Sequence, residues 1–478
     1  MTPQERIEKA HQAFAQLNDQ ELVDAGIHKP DNYFMPIITY PAMSKMPAAT
    51  ADQLIPFGTK LQQPTAVYIH IPFCITRCLF CHWVIKLNTP EDEVARYLKC
   101  LDLEFERHRQ RYGLSGKINA SSILVGGGTP TLLSPAHMKM FFDIVHKHID
   151  MDKVIQFSYE GEPSTLLGDI GAERLRMMVD YGVNRVSYGV QAFNDALLKQ
   201  NGRHHTAQQA IDSINRSHQF GISSVSIDLI YGLTGQTTED WIDTMNTAVQ
   251  SGADAWQLYR LRIVPHGDRP GTVVKHAQKR PDLYAQVEET LIMKMIGIQI
   301  SEENGFPQLY TRIFARTPDD ISFYLNDVNS KLSDVVSVGI SSWGNVNDTY
   351  VLNVGNDFES YYKLIDEGGL PINRGMKRDA DNEARHCFIL QLKNTRVNKA
   401  LFESRIKRTV HDCFGETIEH MKKFNLISED EQFISLTERG KFYADQVVAQ
   451  FTASEFRPST PARPVTLGVK KDTPPAVV

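Results

Sequence analysis

Strand patterns alternate with helical patterns through the middle of the chain, and this alternation constrains the fold more than any other feature. Alternating β and α units with short loops form a parallel sheet, and right-handed crossovers curl six such units into an open barrel. We therefore predict an α/β fold, a partial (β/α)6 TIM-like barrel. The apolar, β-branched runs lie at 66–71, 121–126, 154–160, 185–190, 224–230 and 256–261, and the helical patterns between them at 91–112, 135–148, 170–181, 206–219 and 238–250.

The segments on either side of this core have different patterns. A polar lead-in contains one helical pattern over 2–26 and then irregular chain from 30 to 64. A long helical pattern at 281–304 leads into a mostly helical region, whose helix–strand–helix ending is typical of a winged helix. The last residues are rich in proline and have no periodicity, which favours disorder. We predict an N-terminal extension (1–65), a barrel core (66–290), a mostly helical, winged-helix-like C-terminal domain (291–456) and a disordered tail (457–478).

Composition excludes some classes of partner. The net charge is −6, whereas a nucleic-acid-binding protein usually has a basic face. The first twenty residues are polar, without the apolar segment of a signal peptide, and no run is apolar for long enough to span a bilayer. We therefore expect a cytoplasmic protein without a nucleic-acid or membrane partner.

Three of the six cysteines lie close together, directly after the first predicted strand. Cys74, Cys78 and Cys81 have the spacing C-x3-C-x2-C. Three thiolates in one loop can hold three irons of a four-iron, four-sulfur cluster, and the fourth iron then stays open to a small molecule. S-adenosylmethionine (SAM) can bind that iron through its amino and carboxylate groups, and one electron can then break a carbon–sulfur bond of its sulfonium. The alternative is structural zinc, which normally needs four ligands, and His82 is poorly placed to be the fourth because it adjoins Cys81.

Glycines and polar residues follow the predicted strands at their C-terminal ends, where a barrel of this kind places its chemistry. Glycines let backbone groups approach a ligand closely. The carboxylate of Glu160 can accept hydrogen bonds from ribose hydroxyls, and Arg203 can pair with the methionine carboxylate of SAM. The other such residues are Gly126, Gly127, Gly128, Thr129, Gln191 and Asp228.

Several motifs resemble the radical SAM family of oxygen-independent coproporphyrinogen dehydrogenases. They are YIHIPFC, GGGTPT, the E-x-x-P that begins at Glu160, GVNRVSYGVQAF, SIDLIYGL, VSVGISSWGN, LPINRG and LTERG. The resemblance implies that Cys74, Cys78 and Cys81 bind the [4Fe–4S] cluster. It also implies that Tyr68, Gly127 and Glu160 contact the SAM on the cluster. Phe80, Gly128, Thr129, Gln191, Arg203 and Asp228 match residues around the SAM sites, several of them around a second SAM. Trp343 replaces a smaller apolar contact of the family.

The resemblance also has departures that bear on function. The coproporphyrinogen enzymes have a further cysteine where this chain has Trp83, and the related heme chaperones lack the long lead-in and have a His-Asn-x-x-Tyr-Trp motif that is absent here. These features resemble the heme-utilisation (HutW/ChuW-type) branch of radical SAM methyltransferases. That resemblance implies anaerobic heme degradation, in which methyl transfer and opening of the tetrapyrrole release iron and anaerobilin. The alternatives are a coproporphyrinogen III dehydrogenase and a heme chaperone.

The implied partners are heme or a related tetrapyrrole as substrate and a reductant for the cluster. The sequence does not identify the residue that binds the heme iron, because a lone loop histidine is more often solvated than metal-bound. The histidines near predicted strand-end loops are His82, His204, His205 and His266.

Overall fold

The parallel strands that the sequence predicts form the centre of the main sheet. The computed structural model describes residues 1–29, 39–263 and 272–456, so the predicted disordered tail and His266 lie outside the described residues. Its strands are β1 (Thr65–Ile71), β2 (Phe73–Cys74), β3 (Lys86–Leu87), β4 (Ala120–Gly127), β5 (Gln156–Gly161), β6 (Arg185–Gln191), β7 (Ser224–Tyr231), β8 (Ala255–Arg260), β9 (Ile313–Ala315), β10 (Val335–Val338), β11 (Trp343–Val346), β12 (Thr349–Asn353), β13 (Ile372–Lys377), β14 (Arg396–Asn398), β15 (Ile427–Glu429) and β16 (Phe433–Leu436).

The α-helices follow the predicted positions closely within the barrel. They are α1 (Pro3–Gln16), α2 (Asp19–Asp24), α3 (Ala51–Leu54), α4 (Glu91–Arg111), α5 (Pro135–His148), α6 (Gly168–Asp180), α7 (Asp195–Gln200), α8 (Ala207–Gln219), α9 (Thr238–Gln250), α10 (Thr272–Lys279), α11 (Val287–Glu303), α12 (Phe323–Leu325), α13 (Phe358–Asp366), α14 (Ala380–Lys393), α15 (Lys399–Ile406), α16 (Val410–Lys423), α17 (Glu438–Phe442) and α18 (Ala444–Gln450). Local sequence fixes several starts: Thr206 and Gln209, for example, form a capping box at α8.

The main sheet is larger than the six-stranded core. Within the described residues it has eleven strands in the order β13-β12-β11-β10-β1-β4-β5-β6-β7-β8-β9. Strands β1, β4, β5, β6, β7 and β8 are parallel, which confirms the predicted α/β class. Strand β10 adds in parallel beside β1, and the antiparallel strands β11–β13 follow it. Because successive parallel strands all end at the same edge, their terminal loops gather there.

The lead-in does not form the single helix predicted for 2–26, so that prediction is wrong. Helices α1 and α2 are separated by Asn18, whose φ of +49° breaks the helix, and asparagine tolerates this left-handed conformation better than most residues. Arg6 of α1 forms an ion pair with Glu303 of α11, at 2.7 Å between Nη2 and Oε2. The hydroxyl of Tyr443 donates to Asp19 at 2.7 Å. The lead-in therefore contacts both the barrel and the C-terminal helices.

Three other boundaries differ from the prediction. The segment predicted as irregular contains a short 3₁₀ helix, Met43–Lys45, and α3. Helix α11 begins at Val287 rather than at 281, because Pro281–Leu283 forms a separate 3₁₀ turn. The first helix of the helix–strand–helix ending, which the sequence pattern predicts near 414–425, is α16, and it begins earlier, at Val410. Among the described residues, no helix is long and apolar enough to cross a membrane.

The end of the described chain has the predicted helix–strand–helix order. Strands β14, β16 and β15 form a small antiparallel sheet in that order. Along the chain, α16 lies between β14 and β15, and α17 follows β16. A Cβ atom at Gly440 would lie 1.8 Å from the carbonyl oxygen of Leu426, so α17 can approach the preceding turn this closely only with glycine there. The region around this sheet is mostly helical, as predicted.

Candidate functional site

The three motif cysteines lie in a loop that leaves the barrel at the end of β1. Pro72 ends β1, and the short strand β2 then pairs with β3, so the loop is closed at its base. All three thiols are free and half-buried. The backbone amide of Cys81 donates to the carbonyl of Cys78 at 3.2 Å, which tightens the loop between the second and third cysteine. The sequence-predicted ligands are thus presented together at the C-terminal edge of the sheet.

The environment of the cysteines suits a cationic centre. Burial raises the pKa of the Cys74 thiol to about 11, with a further contribution from Cys81 and Cys78, and burial also raises the pKa of Cys81. Three thiolates in such a half-buried loop would repel one another unless positive charge lay among them, and bound iron would supply that charge. Arg203 adds a fixed charge, since its Nη1 donates to the Sγ of Cys78 at 3.3 Å.

The three cysteine thiols lie along one loop and do not surround the position of a single metal ion. Among the described residues, no three His, Cys, Asp or Glu side chains are placed to hold a single metal ion. In a four-iron cluster each thiolate binds a different iron, so its ligands need not surround one point. The remaining cysteines lie elsewhere: Cys100 and Cys387 are buried, whereas Cys413 is half-buried.

Glycine backbones form the wall against which the cysteine loop packs. A Cβ atom on Gly128 would lie 2.7 Å from the carbonyl carbon of Pro72 and 2.8 Å from the carbonyl oxygen of Phe73. The amide of Thr129 donates to that same Phe73 oxygen at 2.8 Å, and Thr129 Oγ1 lies 3.4 Å from the Sγ of Cys74. Gly128 and Thr129 therefore fix the position of the first cysteine.

This contact makes Gly128→Ala a test of the loop's role. The new methyl group would collide with backbone atoms, which cannot move aside as a flexible side chain could, so the variant should lose most of its iron. The control is Gly116→Ala, because a Cβ at Gly116 meets nothing within 4 Å. Iron content and visible absorbance after anaerobic reconstitution provide the measurement, and a Gly128→Ala protein with full iron would contradict this account.

Two carboxylates lie inside the barrel at this same edge. Glu160, at the end of β5, accepts a hydrogen bond from the amide of Gly127 at 3.2 Å, and burial raises its pKa. Burial, followed by the nearby charge of Glu160, raises the pKa of Asp228 to about 7. The buried Oδ1 of Asp228 has no hydrogen-bond partner within the described residues. A buried oxygen without a hydrogen-bond partner lowers the stability of the fold unless a ligand or water bonds to it. The Asp228 oxygen is therefore well placed to bond to a polar ligand.

Arg203 connects the cysteine loop to a third carboxylate, that of Glu162. Its Nη2 donates to the carbonyl of Gly189 at 2.5 Å and lies 3.7 Å from Glu162 Oε1, while its buried Nε has no partner within the described residues. His205 Nδ1 lies 2.8 Å from the same Glu162 oxygen. Burial alone would raise the pKa of Glu162, but the hydrogen bond with His205 and the charge of Arg203 outweigh it and hold that pKa at about 2. Glu162 was not among the predicted site residues.

The other predicted SAM contacts surround this edge. The Tyr68 hydroxyl lies 3.0 Å from His70 Nδ1, and burial, with the charge of Glu160, raises its pKa well above its usual range. Gln191 ends β6 with a φ of +69°, and its Nε2 lies over the backbone of Gly189, 2.8 Å from where a Cβ would be. Phe80 packs beside the apolar cluster that contains Ala192. The structure therefore brings the predicted residues to one end of the barrel.

The predicted histidines separate into different environments. His205 is bound to Glu162, as described above. His204 Nε2 lies 2.7 Å from Thr76 Oγ1 at the surface of the cysteine loop, and His82 Nε2 lies 3.2 Å from the carbonyl of Arg262. Each of these three ring nitrogens has a protein partner, so the heme ligand stays unassigned.

Comparison with known proteins agrees with this geometry. Residues 68–248 match the family model of the radical SAM superfamily. A heme chaperone HemW of Haemophilus influenzae is 32% identical over 284 residues, which cover 59% of this chain and 70% of that protein. The chain therefore belongs to the radical SAM family of heme chaperone HemW and the coproporphyrinogen oxidase HemN.

Two further relatives cover more of this radical SAM protein. The heme chaperone HemW of Bacillus subtilis is 28% identical over 393 residues, which cover 81% of this chain and 98% of the relative. The oxygen-independent coproporphyrinogen III oxidase of Escherichia coli is 25% identical over 395 residues, with coverages of 80% and 83%. A solved structure of coproporphyrinogen III oxidase (HemN) from the same organism superposes with a TM-score of 0.73 at 22% identity, over 88% of this chain and 97% of that one. That solved structure and this chain have the same fold.

Family membership also fixes the cofactors. Proteins of the radical SAM superfamily use a [4Fe–4S] cluster and SAM, and the loop with Cys74, Cys78 and Cys81 has three thiols that could hold such a cluster. The zinc alternative is therefore set aside. The unpartnered Asp228 oxygen and the closely packed backbone at Gly128 are groups that could contact a nucleoside ligand.

Proposed function

We propose that this protein is an enzyme that cleaves SAM at a cluster on Cys74, Cys78 and Cys81 and directs the resulting radical at a tetrapyrrole. A cluster held by Cys74, Cys78 and Cys81 would supply the one-electron reduction that cleaves SAM, and the electron would come from an external reductant. The observation that carries the proposal is the gathering of Glu160, Asp228 and Arg203 beside the cysteine loop, with buried polar atoms that lack partners among the described residues.

The residues have distinct proposed roles toward SAM. Glu160, held by the Gly127 amide, accepts hydrogen bonds from the ribose hydroxyls. Arg203 is fixed by Gly189 and Glu162 and pairs with a carboxylate of SAM. Tyr68, Phe80, Gly128, Thr129, Gln191 and Asp228 complete the proposed SAM sites, several of them around a second SAM.

The tetrapyrrole is supported by the relatives, which are named for heme and for coproporphyrinogen III. These names favour a heme chaperone or a coproporphyrinogen III oxidase as the finer function. Anaerobic heme degradation, with methyl transfer and ring opening, is the second candidate. It is favoured by Trp83, which stands where the oxidases have a further cysteine and is 45% exposed beside the cluster loop. The cytoplasm is the proposed location for all three functions.

One anaerobic experiment distinguishes these functions. Reconstituted protein is incubated with SAM labelled with deuterium at its methyl group, a strong reductant, and either heme or coproporphyrinogen III. An oxidase releases carbon dioxide from coproporphyrinogen III and leaves heme intact. A heme-degrading enzyme consumes heme, releases ferrous iron and places deuterium in the tetrapyrrole, whereas a chaperone binds heme and keeps its iron.

We expect 5′-deoxyadenosine to form with at least one of the two tetrapyrroles, because the radical needs the substrate as its target. Mass spectrometry of the nucleoside and of the tetrapyrrole gives both readings from one sample. Protein with a full cluster that forms no 5′-deoxyadenosine under any of these conditions would refute the proposed enzyme.

A further inference from the structure

Trp343 lies on the inner face of the sheet at the end that bears the cysteine loop. It is the first residue of β11, which follows the turn at the C-terminal end of β10. Asn345 pairs with Val335 of β10, and side chains two apart in a strand share a face, so Trp343 lies on the same face as Val335. Val335 and Tyr68 belong to one apolar cluster that also contains Trp343. The indole is therefore a neighbour of the predicted SAM contact on β1.

Two pairs of aromatic side chains lie here, and we call the four residues the aromatic wall: Tyr68 with Tyr324, and Trp343 with Tyr350. The rings of Trp343 and Tyr350 are stacked, with planes 8° apart and centroids separated by 5.8 Å. The rings of Tyr68 and Tyr324 have centroids 6.2 Å apart. Tyr350 is buried while Trp343 is half-buried, so the stack fixes the plane of the indole and leaves part of its surface accessible.

The aromatic wall also contains an unsatisfied polar group. Tyr324 is 3% exposed, and its hydroxyl has no hydrogen-bond partner within the described residues. Elsewhere in the barrel, on β6 and β7, Ser187 and Ser226 are neighbours in register, and neither hydroxyl has a hydrogen-bond partner within the described residues. A buried hydroxyl without a partner costs free energy, so these groups indicate that the interior accommodates a polar ligand or ordered water.

We propose that Trp343 is a specificity-determining residue that stacks against a planar, conjugated tetrapyrrole, such as a porphyrin or heme, and thereby disfavours a porphyrinogen. This inference rests on the proposed function. A porphyrin is a flat, delocalised ring that can lie on an indole face. A porphyrinogen has four tetrahedral meso carbons, so its pyrroles are not coplanar and cannot make the same contact. The wall therefore favours heme over coproporphyrinogen III as the bound tetrapyrrole.

The test compares tetrapyrrole binding by two tryptophan-to-leucine variants of the full, reconstituted chain. Zinc protoporphyrin is the planar probe, because it is fluorescent and its metal is not redox-active, and coproporphyrinogen III is the non-planar one. Trp343→Leu removes the stacking surface, and Trp343→Phe restores a smaller flat ring. Trp83→Leu is the matched control, since this exposed indole lies beside the cluster loop but outside the aromatic wall.

We expect Trp343→Leu to weaken zinc protoporphyrin binding by about tenfold, Trp343→Phe to recover part of it, and Trp83→Leu to leave it unchanged. Equal binding by Trp343→Leu and the wild type would overturn this inference alone. A loss in Trp83→Leu instead would place the macrocycle at the cluster loop and overturn it as well. A raised KM for SAM without a change in porphyrin binding would assign the indole to adenine. Wild-type protein that binds neither tetrapyrrole would overturn the proposed substrate itself.

Discussion

Replacing Cys78 by Ala should leave the protein without its iron–sulfur cluster. The anaerobically purified wild type should be brown and carry about four irons per chain, as a three-thiolate site with an open iron requires. With one thiolate missing, the remaining two ligands lie on a half-buried loop that offers no other cysteine, and the Arg203 guanidinium beside position 78 repels iron. Loss of the cluster should also abolish SAM cleavage, and the same result is expected for Cys74→Ala and Cys81→Ala.

The matched controls are the cysteines outside the loop. Cys413 is half-buried like the ligands but lies on α16, and Cys100 is buried on α4. Cys413→Ala and Cys100→Ala should both keep their visible absorbance and iron. The measurements are iron and sulfide content and the electron paramagnetic resonance of the reduced protein. A triple variant of Cys74, Cys78 and Cys81 that retained colour and iron would show that the cluster binds elsewhere.

The sequence predicts the barrel strands well because their signal is local. Each parallel strand is buried on both faces and reads as an apolar run, followed by a helix with its own cap, as at Thr206. The placement of β10 beside β1 was not predictable in this way. Val335–Val338 is as apolar as the other runs, but its partner lies more than 260 residues earlier in the chain, and no local pattern encodes that pairing.

In the N-terminal segment, by contrast, the local pattern predicts more regular structure than the chain forms. A single polar pattern from 2 to 26 predicts one helix, whereas Asn18 takes a left-handed conformation and divides it. The division lets Asp19 and Glu21 contact Tyr443 and Arg439 of the C-terminal region. Tertiary contacts therefore override the helical preference of the segment, and these contacts involve residues that the sequence pattern could not pair.

The parts of the candidate site that could be predicted are those where a residue type in a given spacing usually has one function. The cysteine spacing and the glycine run identify the loop and its wall, as the contact between Gly128 and Phe73 illustrates. Glu162 was missed because its role depends on Arg203 and His205, which lie about forty residues away and approach it only in the folded barrel. Its position two residues after Glu160, in a motif with two carboxylates, was the available signal.

Replacing Glu160 by Gln should reduce SAM cleavage by more than tenfold while leaving the cluster intact. The change keeps the size of the side chain and its contact with the Gly127 amide, but it removes the negative charge that accepts hydrogen bonds from the ribose. A hydrogen bond to a charged group contributes about 1.5–3 kcal/mol, which corresponds to more than tenfold at the middle of that range. Glu173→Gln is the control, because Glu173 is exposed on the following helix, α6.

The measurements for this variant distinguish an effect on SAM binding or cleavage from an effect on folding. Iron content and circular dichroism should match those of the wild type, while the KM for SAM rises or the rate of 5′-deoxyadenosine formation falls. The charge of Glu160 also contributes to the raised pKa of Asp228, so Glu160→Gln should lower the pKa of Asp228 toward its ordinary range. Asp228 would then hold its negative charge at lower pH in the variant. Unchanged cleavage at saturating reductant would exclude Glu160 from the SAM site, whereas reduced cleavage with lost iron would indicate a structural role instead.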